Sequence, residues 1–287
     1  MRLLERAIGT QLLTRTSRHV ELTPSGVVLL QDARRALELA ERGVVNARRA
    51  SRGETGYLRI GFRESAAVAL LPAILRSFRQ SHPGVSTILD ELDDHAQVTE
   101  INDARMHIGF IRAKPNAPNV ESEVILKEPY GAILPSDHPL ALKNRIPLSA
   151  LAGERFILWP RGPGDQAYDD LLAACRRHGF TPNVIQETLN AHTIMGMVSA
   201  GIGVSLLAYS YRHMSRPGIR VVPIQGMTTE LRLAWVRPMT SPLVQQFRQL
   251  AHKTVVEREP KYGVSASLLT LRHPPLEVFP SASNFNG

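Results

Sequence analysis

Ten arginines and no lysine fall in the first 52 residues, against five acids, for a local net charge of +5. A guanidinium grips a phosphate or a carboxylate through two parallel hydrogen bonds, where an ammonium is only a point charge. Arg15 and Arg18 stand near the tip of an apolar–polar alternation, "QLLTR" then "HVELT" around the turn "TSR". That pattern predicts a β-hairpin that presents cations. Farther along, Ser65 follows the strand-like run "YLRIGF" at the start of a helix, with Ala66 beside it. Its hydroxyl can cap that helix and donate to an anion. His192 and Thr193 open another helix, after Asn190 and Ala191. Arg112 in "GFIRAK", and Trp159 with Arg161 in "ILWPRGPG", sit just past strand ends. Trp159 offers an aromatic wall. Ligands of open α/β sheets bind at such strand ends, where helix N-termini converge.

Catalytic chemistry is poorly supplied, and the chain reads as no enzyme. Ser205, His192 and Asp169 lack the G-x-S-x-G elbow of a hydrolase. "GIGVSL" follows a helix and precedes a strand, the reverse of a dinucleotide fingerprint. The ten histidines form no H-x-x-x-H pair and no grouping with acids at metal spacing, so neither a metal nor a cofactor is expected. The single cysteine, Cys175, lies in the helical pattern "LLAACRRHGF" and reads as a small core residue. There is no disulfide framework, and a reducing compartment fits. No apolar run approaches the roughly 20 residues of a membrane span. "MRLLERAIGT" has no signal-peptide core, so a cytoplasmic protein without a membrane partner is expected. The chain has 287 residues, 43 % of them apolar, which suffices for a full core. Its net charge of +8 favours a polyanionic partner or an acidic ligand.

The elements that position these residues can be read in outline. Thr23 then Pro24 is a strong helix start, a capping hydroxyl followed by proline at the first helical position. Leu30, Ala33, Leu37, Ala40, Val44 and Ala47 then recur at alternating spacings of three and four. This is a heptad seam on a helix over 24–51, about 40 Å long. So narrow an apolar stripe predicts pairing with the same helix of a second subunit, through Leu30, Ala33, Leu37, Ala40 and Val44. "SRGETG" (51–56) is a linker, and an α/β alternation follows it. "VALLPAILRSFRQSHPG" (68–84) reads as one helix, 95–104 as another, and "MHIGFI" as a strand. A second unit begins after 128, with "YGAILP" and "RFILWP" as strands, then a helix over 166–178, the strand "NVIQET" and a helix over 191–200. "GVSLL", "GIRVVPI" and "LRLAWVR" are strands, and a last helix runs from about 241 to 257. The tail 258–287 loses periodicity and is expected to be disordered.

These blocks, in this order, resemble the LysR-type transcriptional regulators. The carrying segments are "LERAIGTQLLTRTSRHVELTPSG", "LRIGF", "LLPAILRSFRQSHPGV", "LPSDHPLA", "GFTPNVIQET" and "MVSAGIGVSLL". "GFIRAK" and "ILWPRGPG" are nearest to the aromatic-compound-responsive members. The resemblance implies an α/β chain: part of a winged helix-turn-helix, a long linker helix, and a two-lobed, periplasmic-binding-protein-like effector domain. The domains it implies are 1–22 (end of the recognition helix and wing) and 23–52 (dimerisation helix), then 56–127 with 219–255 (lobe I) and 128–218 (lobe II). Arg2, Arg15 and Arg18 would face promoter DNA. Ser65, Ala66, Asp94, Arg112, Trp159, Arg161, His192 and Thr193 would face a small acidic or aromatic effector, with Arg112 gripping its carboxylate. Asp94 stands where relatives often carry a small hydroxyl, and a carboxylate there repels an acid but can accept from a hydroxyl or amine. The protein would act as a homodimer or homotetramer. Met1 falls inside the family's recognition helix, whose base-reading front would precede it. The alternative implied is a ligand-sensing dimerisation module without DNA binding of its own.

Overall fold

The structure, a computed structural model, describes residues 1–15, 19–162 and 165–262. They form two compact units, Met1–Gly56 with Gly84–Ser86, and Tyr57–Pro83 with the chain from Thr87 onward.

In the first unit, α1 (Arg2–Ile8) stops at Gly9, whose φ of 74° is the left-handed conformation that ends many helices. The strands β1 (Leu13–Arg15) and β2 (Val20–Leu22) pair antiparallel. Arg15 is on β1, while Arg18 lies outside the described residues. The helix α2 (Pro24–Ser51) starts where Thr23 predicts, with the Thr23 hydroxyl accepting from the Gly26 N–H at 3.0 Å. Gly26 is the one buried residue of this helix. A Cβ there would lie 2.1 Å from the Leu12 carbonyl oxygen, so only glycine lets the helix meet the hairpin segment. The seam residues Leu30, Leu37 and Val44 are 36 %, 65 % and 52 % exposed, and Ala33 and Ala40 are exposed with them.

The second unit is built on a six-stranded sheet in the order β4-β3-β5-β10-β6-β9. Its strands are β3 (Gly56–Phe62), β4 (Val85–Glu91), β5 (Ile108–Ile111), β6 (Val120–Pro135), β9 (Ser205–Ala208) and β10 (Ile219–Val236). A parallel pair, β7 (Arg155–Leu158) and β8 (Asn183–Glu187), joins it through a bridge from Phe156 to Val204. The helices are α3 (Glu64–Ala69), α4 (Leu71–Ser81), α5 (Asp94–Asn102), α6 (Gln166–Arg177), α7 (Ala191–Ser199) and α8 (Pro242–Tyr262). β6 and β10 run antiparallel past each other from Ile219–Pro135 to Val236–Val120. They carry the chain out of one group of strands and helices and back from the other, so two lobes share one pair of continuous strands. One lobe packs Phe78, Phe110 and Phe247 edge to face, with centroids 5.1 and 6.3 Å apart. The other buries Phe156, Leu171, Leu206 and the thiol of Cys175.

Several expectations need correction. The helix over 68–84 is two helices broken at Leu70, because the Pro72 ring would clash with the Val68 carbonyl if the turn continued. "YGAILP" is the end of a strand that already begins at Val120, and "GIRVVPI" and "LRLAWVR" are one strand with a register shift between Pro223 and Thr228. The last helix extends to Tyr262, so 258–262 belong to it rather than to a disordered tail, and the rest of that tail lies outside the described residues. Among the described residues no helix is long and apolar enough to cross a membrane.

Candidate functional site

The mouth between the lobes is built from strand ends. β3 delivers Arg63, Glu64 and Ser65, and β5 delivers Arg112 and Ala113. β7 delivers Trp159 across the gap, and the N-terminus of α7 stands beside it. Tyr130 on β6 and Thr229 on β10 form the floor. A cavity of about 80 Å³ lies among Arg63, Ser65, Arg112, Tyr130, Trp159 and Tyr211. A larger one of about 350 Å³ continues past Arg63 and Trp159 to Glu64, Asp93, Asn190 and Ala191.

Arg112 organises this site. Its side chain is 7 % exposed and pairs with the equally buried Glu128 at 3.0 Å. Its Nε donates to the Ser65 hydroxyl at 3.1 Å, and its Nη2 to Glu128 Oε1. Glu128 is held in turn by the Ser210 N–H at 2.6 Å. Both charges are thereby compensated, as burial requires. The remaining nitrogen, Nη1, is buried with no hydrogen-bond partner. An unmatched guanidinium N–H on a residue that lines a cavity leaves room for one more acceptor.

Asp94 sits behind that wall. Its Oδ2 accepts from the backbone N–H groups of Arg112 and Ala113, at 2.8 and 3.0 Å, and its Oδ1 is 3.7 Å from Arg63 Nη1. Burial raises its carboxyl above the ordinary value, against the pull of Arg63 and the two N–H groups. Across the cleft, Glu64 accepts from the Ala191 N–H at 3.0 Å, a carboxylate of one lobe seated on the N-terminus of a helix of the other. Burial likewise raises Tyr130 and Tyr211, so both phenols stay neutral donors.

The structure distributes the expected site residues unevenly. Ser65, Arg112 and Trp159 line the smaller cavity. Ser65 is not the helix cap; Arg63 holds that position, and the Ser65 hydroxyl is spent on Arg112. Trp159 turns its N–H to Asp165 at 3.0 Å and packs edge-on to Tyr168, leaving the ring to the cavity. Ala66 is fully buried and Asp94 faces backbone amides, so neither lines a cavity. Arg161 points away, bound at both ends to Asp169 at 2.7 and 2.9 Å. His192 is 69 % exposed and reaches only Glu64, at 3.8 Å, and Thr193 gives its N–H to the Asn190 cap. Glu128, Tyr130, Tyr211 and Thr229 were not singled out. Glu128 alone had a signal, an acid beside Lys127 inside a mostly apolar strand, "VILKEPYGAIL". Among the described residues no group of three His, Cys, Asp or Glu could hold a metal.

Comparison with known proteins agrees with this geometry. Residues 51–255 match the family model described as the LysR substrate binding domain. The chain belongs to the LysR family of transcriptional regulators. This LysR-family chain is 36 % identical over 249 residues to the uncharacterized HTH-type transcriptional regulator YnfL of Escherichia coli, covering 85 % of this chain and 84 % of that one. It is 31 % identical over 251 residues to the HTH-type transcriptional regulator AlsR of Bacillus subtilis, covering 87 % and 83 %. Among solved structures, full-length CbnR complexed with its target DNA matches with a TM-score of 0.77 at 25 % identity, over 89 % of this chain and 88 % of that one. Full-length BenM matches with a TM-score of 0.65 at 26 % identity, over 92 % and 87 %. The LysR-family chain is thus a transcription regulator with an effector-binding domain, not an enzyme.

Proposed function

We propose that the protein binds promoter DNA as a homodimer or dimer of dimers, and that a small acidic or aromatic molecule held between its lobes sets its output. The observation that carries the effector reading is Arg112, which lines an aromatic-walled cavity and whose Nη1 is a buried donor without a hydrogen-bond partner. Ser65, Arg112 and Trp159 are the contacts this reading assigns, with Arg63, Tyr130 and Tyr211 added to them. Domain limits at 1–22, 23–52, 56–127 with 219–255, and 128–218 remain part of the proposal. So do DNA contacts from Arg2, Arg15 and Arg18. The likeness to CbnR in its DNA complex supports the DNA reading, and the exposed α2 seam supports the dimer. A promoter-bound regulator works where the DNA is, in the cytoplasm. A ligand that prefers one lobe arrangement shifts the regulator's states by its difference in affinity for them, typically about 1–3 kcal/mol.

Removing Arg112 alone strands Glu128 in the interior, so the test replaces both, as Arg112→Gln with Glu128→Gln. Thermal-shift titration with a panel of aromatic and aliphatic monocarboxylates, benzoate and phenylacetate among them, should stabilise the wild type and fail to stabilise the double variant. Equal stabilisation of both proteins would place the acids elsewhere. Chromatin immunoprecipitation of the chromosomally tagged protein should recover discrete promoter regions, and uniform recovery would contradict the regulator reading.

A further inference from the structure

The class of effector can be read from which donors of the cleft are already taken. This step rests on the proposal that an acid-bearing molecule occupies it. The two cavities share Arg63, Ser65, Trp159, Leu207 and Tyr211 and so adjoin one another. The smaller has charged groups of one sign on its wall, Arg63 and Arg112. The larger adds Glu64, Glu91 and Asp93.

Most donors here are matched by the chain's own oxygens. The Arg112 and Ala113 N–H groups go to Asp94, the Ala191 N–H goes to Glu64, and Arg112 Nε and Nη2 go to Ser65 and Glu128. Arg112 Nη1 remains, on a side chain more than nine-tenths buried. One carboxylate fits that vacancy. A second cannot take the amide cradles, which already hold internal carboxylates, and would have to sit on Arg63 among Glu64, Glu91 and Asp93. The wall charges point the same way. Among the residues lining the two cavities, Arg63 and Arg112 are outnumbered by Glu64, Glu91 and Asp93. A plain acid enters against that excess, whereas a molecule carrying its own ammonium does not.

We infer that the effector is a zwitterion, an amino acid in the broad chemical sense, with its carboxylate on Arg112 and its protonated amine facing Glu64, and that Glu64, Glu91 and Asp93 exclude dicarboxylates. Glu64 becomes a specificity residue as well as the partner of the Ala191 N–H.

The test is calorimetric titration of the full chain near neutral pH with three matched sets: amino acids, the same skeletons without the amine, and the corresponding dicarboxylates. At least one amino acid should bind, about tenfold or more tighter than its deaminated counterpart, as one charge-assisted hydrogen bond provides. Dicarboxylates should give no heat. Glu64→Gln keeps an acceptor for the Ala191 N–H and should shrink the amine preference about tenfold while leaving the deaminated acid unchanged. Deaminated acids that bind as tightly as the amino acids, or a dicarboxylate that binds the wild type, would overturn the zwitterion and leave the acid cleft standing. Equal loss of both partners of a pair in Glu64→Gln would make Glu64 merely structural and overturn the inference too. Silence from all three sets would remove the acid cleft itself.

Discussion

Glu123 shows how far a single buried acid can be pushed. It sits on β6 and takes hydrogen bonds from Arg248 at 2.5 and 2.6 Å and from His252 at 2.7 Å, both on α8. Burial raises its carboxyl, but His252 and Arg248 outweigh that and hold it down to about 2. A carboxylate depressed in the fold stabilises it above the ordinary value of 4.5 and loses that contribution as pH falls toward about 2. Glu123→Gln should therefore cost about 1.5–3 kcal/mol at neutral pH, the range for hydrogen bonds to a charged group. The gap in Tm between variant and wild type should close as pH is lowered from 4.5 toward 2. A gap that stays constant across that window would show that the ion pair is not its source. Arg112 belongs to the same scale, but its partners Ser65 and Glu128 come from 47 and 16 residues away. Spacing along the chain cannot announce such pairings, which is why Arg112 was legible as a candidate and Glu128 was not.

At the scale of elements, local chemistry and tertiary demand part company. Thr23, Pro24 and the heptad seam specify α2 from within, so its start at Pro24 and its end at Ser51 were readable. The helix beyond β3 was readable only in part. Its apolar face was evident, but the break at Leu70 follows from Pro72, a proline whose ring forbids the turn behind it. The crossing strands β6 and β10 were readable in pieces, because Pro223 and the turn through Gly226 interrupt the alternation that their pairing continues. α2 also makes a prediction. Its seam leaves Leu37 and Val44 more than half exposed in one chain. Glutamate at both positions would place like charges against each other in a paired seam. Sedimentation velocity should find association of Leu37→Glu/Val44→Glu weakened by at least about tenfold relative to wild type. Unchanged association would show that the seam is not an interface.

For the whole molecule, the sequence pattern carried the order of elements and the family, while the inside of the cleft came from the fold. Two lobes strung on a shared pair of strands can change their mutual angle with little rearrangement inside either. A ligand that bridges Arg112 on one side and Trp159 on the other gains contacts only when both lobes meet it. The measurement that tests this most directly is a crystal structure of the protein with a stabilising acid bound. The account predicts density between the β3 and β5 mouths and the start of α7, with a carboxylate oxygen within about 3.2 Å of Arg112 Nη1. Density confined to the neighbouring cavity of about 480 Å³, which also touches Arg112 but extends to Lys114, Asp170 and Arg177, with Arg112 Nη1 still unmatched, would contradict it.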